Sequence, residues 1–239
     1  MYLVWLPEGT TPEAVRTTMI DEVGFRFLDL DPVALSMDLD DDLAQFPPPL
    51  PPTEGDPQVS AIVSIWLQRC DDRDPYEAIL GDVAERVHGY AVNESLYSEY
   101  GETKWSGPRD WPDGERSPAV LTCSFFPVKR DMAYLDWIDF WHHRISPMSA
   151  EVQPRMRYVR NAVARPLAAG VPELGAIVEE AWPSGDHIVD PMRFYNSDGD
   201  PKKMQANQQR MIDDIVQFID LDVMRNNTMS EWILKSLPT

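Results

Sequence analysis

The spacing of apolar and polar positions divides the chain into two stretches that repeat one order of elements. Residues 2–6 form an apolar run that reads as a strand. Thr11-Pro12-Glu13 supplies a cap and a first-turn proline, and the helix it opens runs to about residue 22. Phe25-Arg26-Phe27-Leu28 begins an extended segment, which leads into an acidic, proline-rich loop over residues 40–57. The β-branched run 59–67 is a strand, residues 74–87 a second capped helix, and residues 88–97 another strand. Beyond a stretch of turn formers and charges, residues 119–126 read as a strand and 131–145 as a helix that ends at Pro147. Strands at 155–164 and 174–181, a helix at 201–220 and a strand at 228–234 complete the chain.

Each stretch is therefore β-α-β-β-α-β, the ferredoxin-like order, and the expected class is α+β. The predicted layout is a first repeat over residues 1–106, a linker over 107–117 and a second repeat over 118–239 that carries the site. A short match between the last strands sets Glu94 opposite Glu231. Such a four-stranded sheet carries its helices on one face and leaves the other apolar and uncovered. Two of them can bury those faces against each other, so tandem repeats forming an α/β barrel within one chain are expected. A barrel of this kind has room for a small molecule between sheet and helix or inside the sheet cavity.

Composition narrows the function. Hydrophobic content of 43% and aromatic content of 10% fit an ordinary globular chain. No apolar run has the length of a membrane helix and the start lacks the features of a signal peptide, so no membrane partner and a cytoplasmic location are expected. A net charge of −19 with no basic face argues against nucleic acid. Cys70 and Cys123 stand alone, Cys123 reading as a core residue. The run 38–42 reads as a solvated loop, because the spacing of a calcium loop is missing. No histidine or cysteine spacing indicates a metal, and no motif indicates a cofactor. A homodimer through exposed sheet or helix surfaces stays open.

The helix over 131–145 carries the densest chemistry. A 3.6-residue period sets Leu135, Ile138, His142 and Ile145 on one inward face, flanked by Tyr134, Trp137, Trp141 and Met148. Asp139 and His143 share a polar face. An inward His142 among aromatics is a candidate general acid or base, weighed against a core histidine satisfied by one hydrogen bond.

Phe140-Trp141, Pro147 and the following strand Arg157-Tyr158-Val159-Arg160-Asn161 together resemble the EthD-like family of the dimeric α/β-barrel superfamily. In that family an aromatic pair is followed by a His-Gly-Pro turn and a Tyr-x-x-Asn strand. Here the turn is Ile145-Ser146-Pro147, so Ile145 occupies the family's histidine position, and His142 lies one turn earlier. The resemblance implies chemistry on aromatic or polyketide-like compounds. The superfamily includes cofactor-free cyclases, dehydratases, decarboxylases and monooxygenases, as well as haem-dependent members.

Other candidates lie on strands. Alternation places His88, Tyr90 and Val92 on one face, and Tyr158 and Asn161 on opposite faces. Glu179 goes with Ile177, and Glu180 with Val178 and Trp182. The expectation is a cofactor-independent lyase, decarboxylase or cyclase acting on a hydrophobic aromatic molecule. Its catalytic residues would be His142, His88, Tyr90 and Tyr158. Trp137, Trp141, Trp66, Tyr134, His143 and Asn161 would bind the substrate. A non-catalytic carrier of an aromatic ligand, or a monooxygenase of the same superfamily, is the alternative.

Overall fold

A computed structural model describes residues 1–50 and 58–238; the rest of the predicted loop, 51–57, lies outside the described residues. Eight strands close a barrel: β1 (Tyr2–Trp5), β2 (Ala34–Leu39), β3 (Ala61–Trp66), β4 (Arg86–Ser98), β5 (Val120–Phe126), β6 (Arg157–Pro166), β7 (Ala176–Trp182) and β8 (Arg225–Lys235). Their order around it is β1-β3-β2-β8-β5-β7-β6-β4, and β4 returns to β1. Every pair is antiparallel. The four strands of each half are neighbours, and two seams join the halves. In one, Asp38 of β2 faces Glu231 of β8; in the other, Glu94 of β4 faces Asn161 of β6.

Alternation along each strand separates two environments. Leu3, Ile62, Tyr90, Leu121, Ile177 and Met229 point into the barrel, where Tyr100 joins them and Trp111 packs alongside. The outer face carries the helices. Those of the first half are α1 (residues 12–29) and α2 (Asp74–Val83); Val15, Met19, Val23, Phe27 and Leu80 fill the space beneath them. In the second half, α3 (residues 134–152) and α4 (Pro201–Phe218) cover β5, β6 and β7 through Trp137, Trp141, Phe126, Val178 and Phe218. Asp200 caps α4 by accepting from the Lys202 amide at 2.9 Å, with Pro201 at the first helical position.

Four expectations need correction. Residues 25–29 are helical, not extended, because α1 continues through a π-type stretch, Thr17–Gly24. Its buried positions 15, 19, 23 and 27 recur every four residues, a spacing that suits a helix wound wider than 3.6. The second strand accordingly starts later, at Ala34. The run 38–42 is not a solvated loop: Asp38 lies in β2 and Asp41 is buried, accepting from the Ser230 hydroxyl at 2.6 Å. Residues 107–117 do more than link, since the Gly114 and Ser117 amides bond to β8 carbonyls.

The fourth correction concerns α3, which does not end at Pro147 but runs on to residue 152. Proline lacks an amide hydrogen and its ring crowds the carbonyl four residues back. The π-type turn Trp141–Ile145 relieves both problems: the Ser146 amide bonds to the Trp141 carbonyl, five residues back, and a new α segment begins at Ser146 with Pro147 in its first turn. The extra residue turns the face. Trp137, Trp141, Ile145 and Met148 are buried, while Leu135 is 78% exposed and His142 is displaced to the flank.

Candidate functional site

Between the outer sheet face of the second half and its two helices lies a cleft of about 210 Å³. Ser124 and Phe126 of β5, Tyr158 of β6, Val178 and Glu180 of β7 and Asn226 of β8 make its floor. Trp141, Ile145 and Ser149 of α3 face Met211, Ile215 and Phe218 of α4 across it. These positions follow from alternation, which sends every second residue of β5, β7 and β8 outward.

The walls are apolar and the polar groups gather on the floor. The Trp141 indole N–H donates to the Tyr158 hydroxyl at 2.8 Å, with both side chains buried. The Arg155 guanidinium lies 4.0 Å from the centre of the Tyr158 ring. It is ion-paired to Glu180 and donates to the Ser149 hydroxyl at 2.6 Å. Thr122 donates to the second oxygen of Glu180 at 3.2 Å and receives the Trp182 indole N–H at 2.9 Å. At the other end of the floor the Asn226 amide donates to Ser124 at 2.6 Å. Its carbonyl oxygen is buried without a hydrogen-bond partner. Burial raises the Tyr158 phenol and Arg155 opposes the rise, which favours a neutral hydroxyl at pH 7. The floor can therefore orient a ligand oxygen, and Glu180 is the carboxylate among the described residues that line the cleft.

Of the residues expected from sequence, the cleft brings together Trp141 and Tyr158. Trp137 backs them, fully buried, with its ring stacked 5.0 Å from Phe218 and its N–H on the Phe218 carbonyl. Tyr134 is 44% exposed. His143 is on the surface, 2.9 Å from Asp139. His142 does not point into the cleft; it sits half-buried beside the Trp141 ring, and burial, Arg160 and His143 lower its pKa. His88 is far along the chain fold, edge-on to Trp5 at 4.8 Å inside the barrel. Its pKa is lowered by burial and Arg86. Trp66, Tyr90 and Asn161 converge elsewhere, at a mouth of the barrel. Tyr158 and Asn161 do take opposite faces, as alternation required.

Sequence reasoning missed Arg155, Ser124 and Asn226. It also missed a polar network inside the barrel. There Arg157 reaches Glu231 at 3.0 Å, Glu99 at 3.1 Å and Glu179 at 3.5 Å. Asn161 donates to Glu179 at 3.0 Å, and the Tyr100 hydroxyl to Glu231 at 2.5 Å. Burial pushes Glu179 up to about 7, against the pull of Arg157. Burial, then Glu179 and Glu231, raise Asp38 well above the usual carboxylate range. The signal was present in the pairing of Glu179 with Ile177 on one face, but only closure of the barrel shows that this face is inside.

No family model matches the sequence, and no curated protein matches it. Two solved structures are similar. One is an anthrone oxidase-like protein, 11% identical, aligned over 100% of this chain and 93% of its own with a TM-score of 0.53. The other is a monooxygenase candidate from Lactobacillus acidophilus NCFM, 10% identical, aligned over 95% and 90% with a TM-score of 0.44. With the first of these the chain shares its fold, a closed antiparallel barrel with helices outside. In the present chain one polypeptide closes the whole barrel. Among the described residues no helix is long and apolar enough to cross a membrane, and no group of three or more His, Cys, Asp or Glu gathers as a metal site.

Proposed function

We propose that the protein is a cofactor-independent monooxygenase of an aromatic, anthrone-type small molecule, bound in the cleft under α3 and α4. The observation that carries this reading is the cleft itself: aromatic walls converging on the Trp141–Tyr158 pair, with a carboxylate on the floor. Its volume of about 210 Å³ suits a compact ligand, below the usual span of drug-sized pockets. Tyr158 orients the ligand oxygen and Glu180 receives the proton that leaves an activated CH₂ group. The carbanion so formed reacts with O₂. Net, CH₂ and O₂ become C=O and H₂O, and the substrate supplies all the electrons. The name of the anthrone oxidase-like neighbour supports the same substrate class.

The EthD-like resemblance also supports this placement, because Ile145, in the family's histidine position, lines the cleft. The tandem ferredoxin-like organisation, with repeats at 1–106 and 118–239, accounts for the neighbouring strands of each half. A lyase based on His142 loses its base, since that side chain lies on the outer flank of α3. The pairing of Glu180 with Arg155 favours a second reading, a carrier that holds the ligand unchanged.

Incubation with anthrone under ¹⁸O₂ separates the readings. An oxygenase yields a product with one labelled oxygen, and Glu180→Gln slows it by about 10²-fold or more, while Trp141→Leu weakens ligand binding. Binding without conversion identifies a carrier. Absence of binding in wild type removes the cleft as an aromatic site.

A further inference from the structure

Trp66, Tyr90 and Asn161 line a second cavity, about 320 Å³, where β1 begins and β3 ends. Glu94 stands at its rim and Ser64 on its wall. Two basic groups also border it. Arg73 is occupied by Glu77 at 3.1 Å and Asp71 at 3.9 Å. The Met1 amine donates to the Tyr90 carbonyl at 2.9 Å, and burial lowers its pKa to about 6.

Behind this mouth the barrel interior is acidic. Asn161 hands on to Glu179 through its 3.0 Å bond. Asp38 lies one inward position below Ser36, the cross-strand partner of Ser64. Glu231 pairs in register with Asp38. These carboxylates share one guanidinium, Arg157, which Glu231, Glu179 and Glu99 already engage. Asp38 is left over. It is 4% exposed, makes no ion pair among the described residues, and its hydrogen-bond donor is the Cys123 thiol at 3.5 Å. A buried carboxylate without a cation is costly and keeps its proton unless a cation is supplied, so clustered acids in a low-dielectric interior gain from a cation at the opening.

We propose that the barrel mouth is a second binding site, for a small organic ammonium ion seated against the half-exposed Trp66 ring above the carboxylates behind Asn161. Aromatic faces beside carboxylates suit a diffuse organic cation, whereas metal-ligand groupings are missing among the described residues. The site is separate from the outer cleft and does not depend on what that cleft binds.

Titration calorimetry at pH 8 tests this with tetramethylammonium and n-propylammonium, and with tert-butanol as the neutral counterpart. Saturable binding of either cation, no binding of tert-butanol, and affinity reduced about tenfold or more in Asp38→Asn and in Trp66→Leu are expected. Trp141→Leu, on the outer cleft, leaves that affinity unchanged. Asp38→Asn keeps the size and shape of a buried side chain, and Trp66 is at the half-exposed rim, so both variants should fold. Absence of saturable cation binding, equal binding of tert-butanol, or full affinity in both variants overturns the site.

Discussion

Glu179 gives stability a pH dependence of unusual sign. In the unfolded chain its carboxyl titrates near 4.5, and inside the barrel at about 7. Below the lower value both states hold the proton and no penalty arises. Between the two values the unfolded chain gives up its proton first, so stability falls as pH rises, and the decline ends above the folded value. Asp38, raised in the same direction, extends the fall to higher pH. Thermal unfolding followed from pH 5 to 8 should therefore show Tm decreasing, and Glu179→Gln should flatten the curve. At the cleft, Tyr158→Phe strands the buried Trp141 indole N–H, at a cost of about 1–3 kcal/mol in urea unfolding. Adding Trp141→Phe to that variant removes the orphaned donor, so the two costs should not add.

At the scale of elements, the π-type turn in α3 decides which side chains face the cleft. It sets Trp137 and Trp141 on the same line as Ile145 and Met148 although Pro147 interrupts the hydrogen bonding. Deleting exposed His143 would remove the residue that widens this turn and press the Pro147 ring against the carbonyl four residues back, at a cost of about 3 kcal/mol. Loss of near-ultraviolet circular dichroism and of aromatic-ligand binding is expected, whereas His143→Ala should change stability by less than about 0.5 kcal/mol. The order of elements was legible because strand alternation and capped helix starts are local signals. The winding was not. Leu135, Ile138 and His142 fit a 3.6-residue stripe as well as Trp137 and Trp141 fit a wider one, and proline reads locally as a stop. For the same reason Phe25-Arg26-Phe27 alternates like a strand, yet tertiary packing of Phe27 against Tyr76, ring centres 5.0 Å apart, keeps it helical.

For the whole molecule, closure rests on the seams β2–β8 and β4–β6. Fragments 1–106 and 118–239 expressed separately would each expose two sheet edges and half of the acidic interior. Neither should show cooperative unfolding alone, and mixing them should restore it, as measured by circular dichroism and size-exclusion chromatography. Barrel closure could be anticipated from two sheets with bare apolar faces, but the burial of Asp38, Glu179 and Glu231 could not. Alternation assigns residues to faces without saying that an acidic face will be enclosed. The two halves also differ beneath their helices: Met19, Val23, Phe27 and Leu80 close the first, and a cleft opens the second. A symmetric pair of identical chains would impose every change twice. Here the half packed beneath its helices and the half with the cleft are joined through the two seams. On the proposed function, substitutions under α3 and α4 redirect chemistry while those under α1 and α2 govern how long the molecule lasts, so the two halves are free to evolve at different rates.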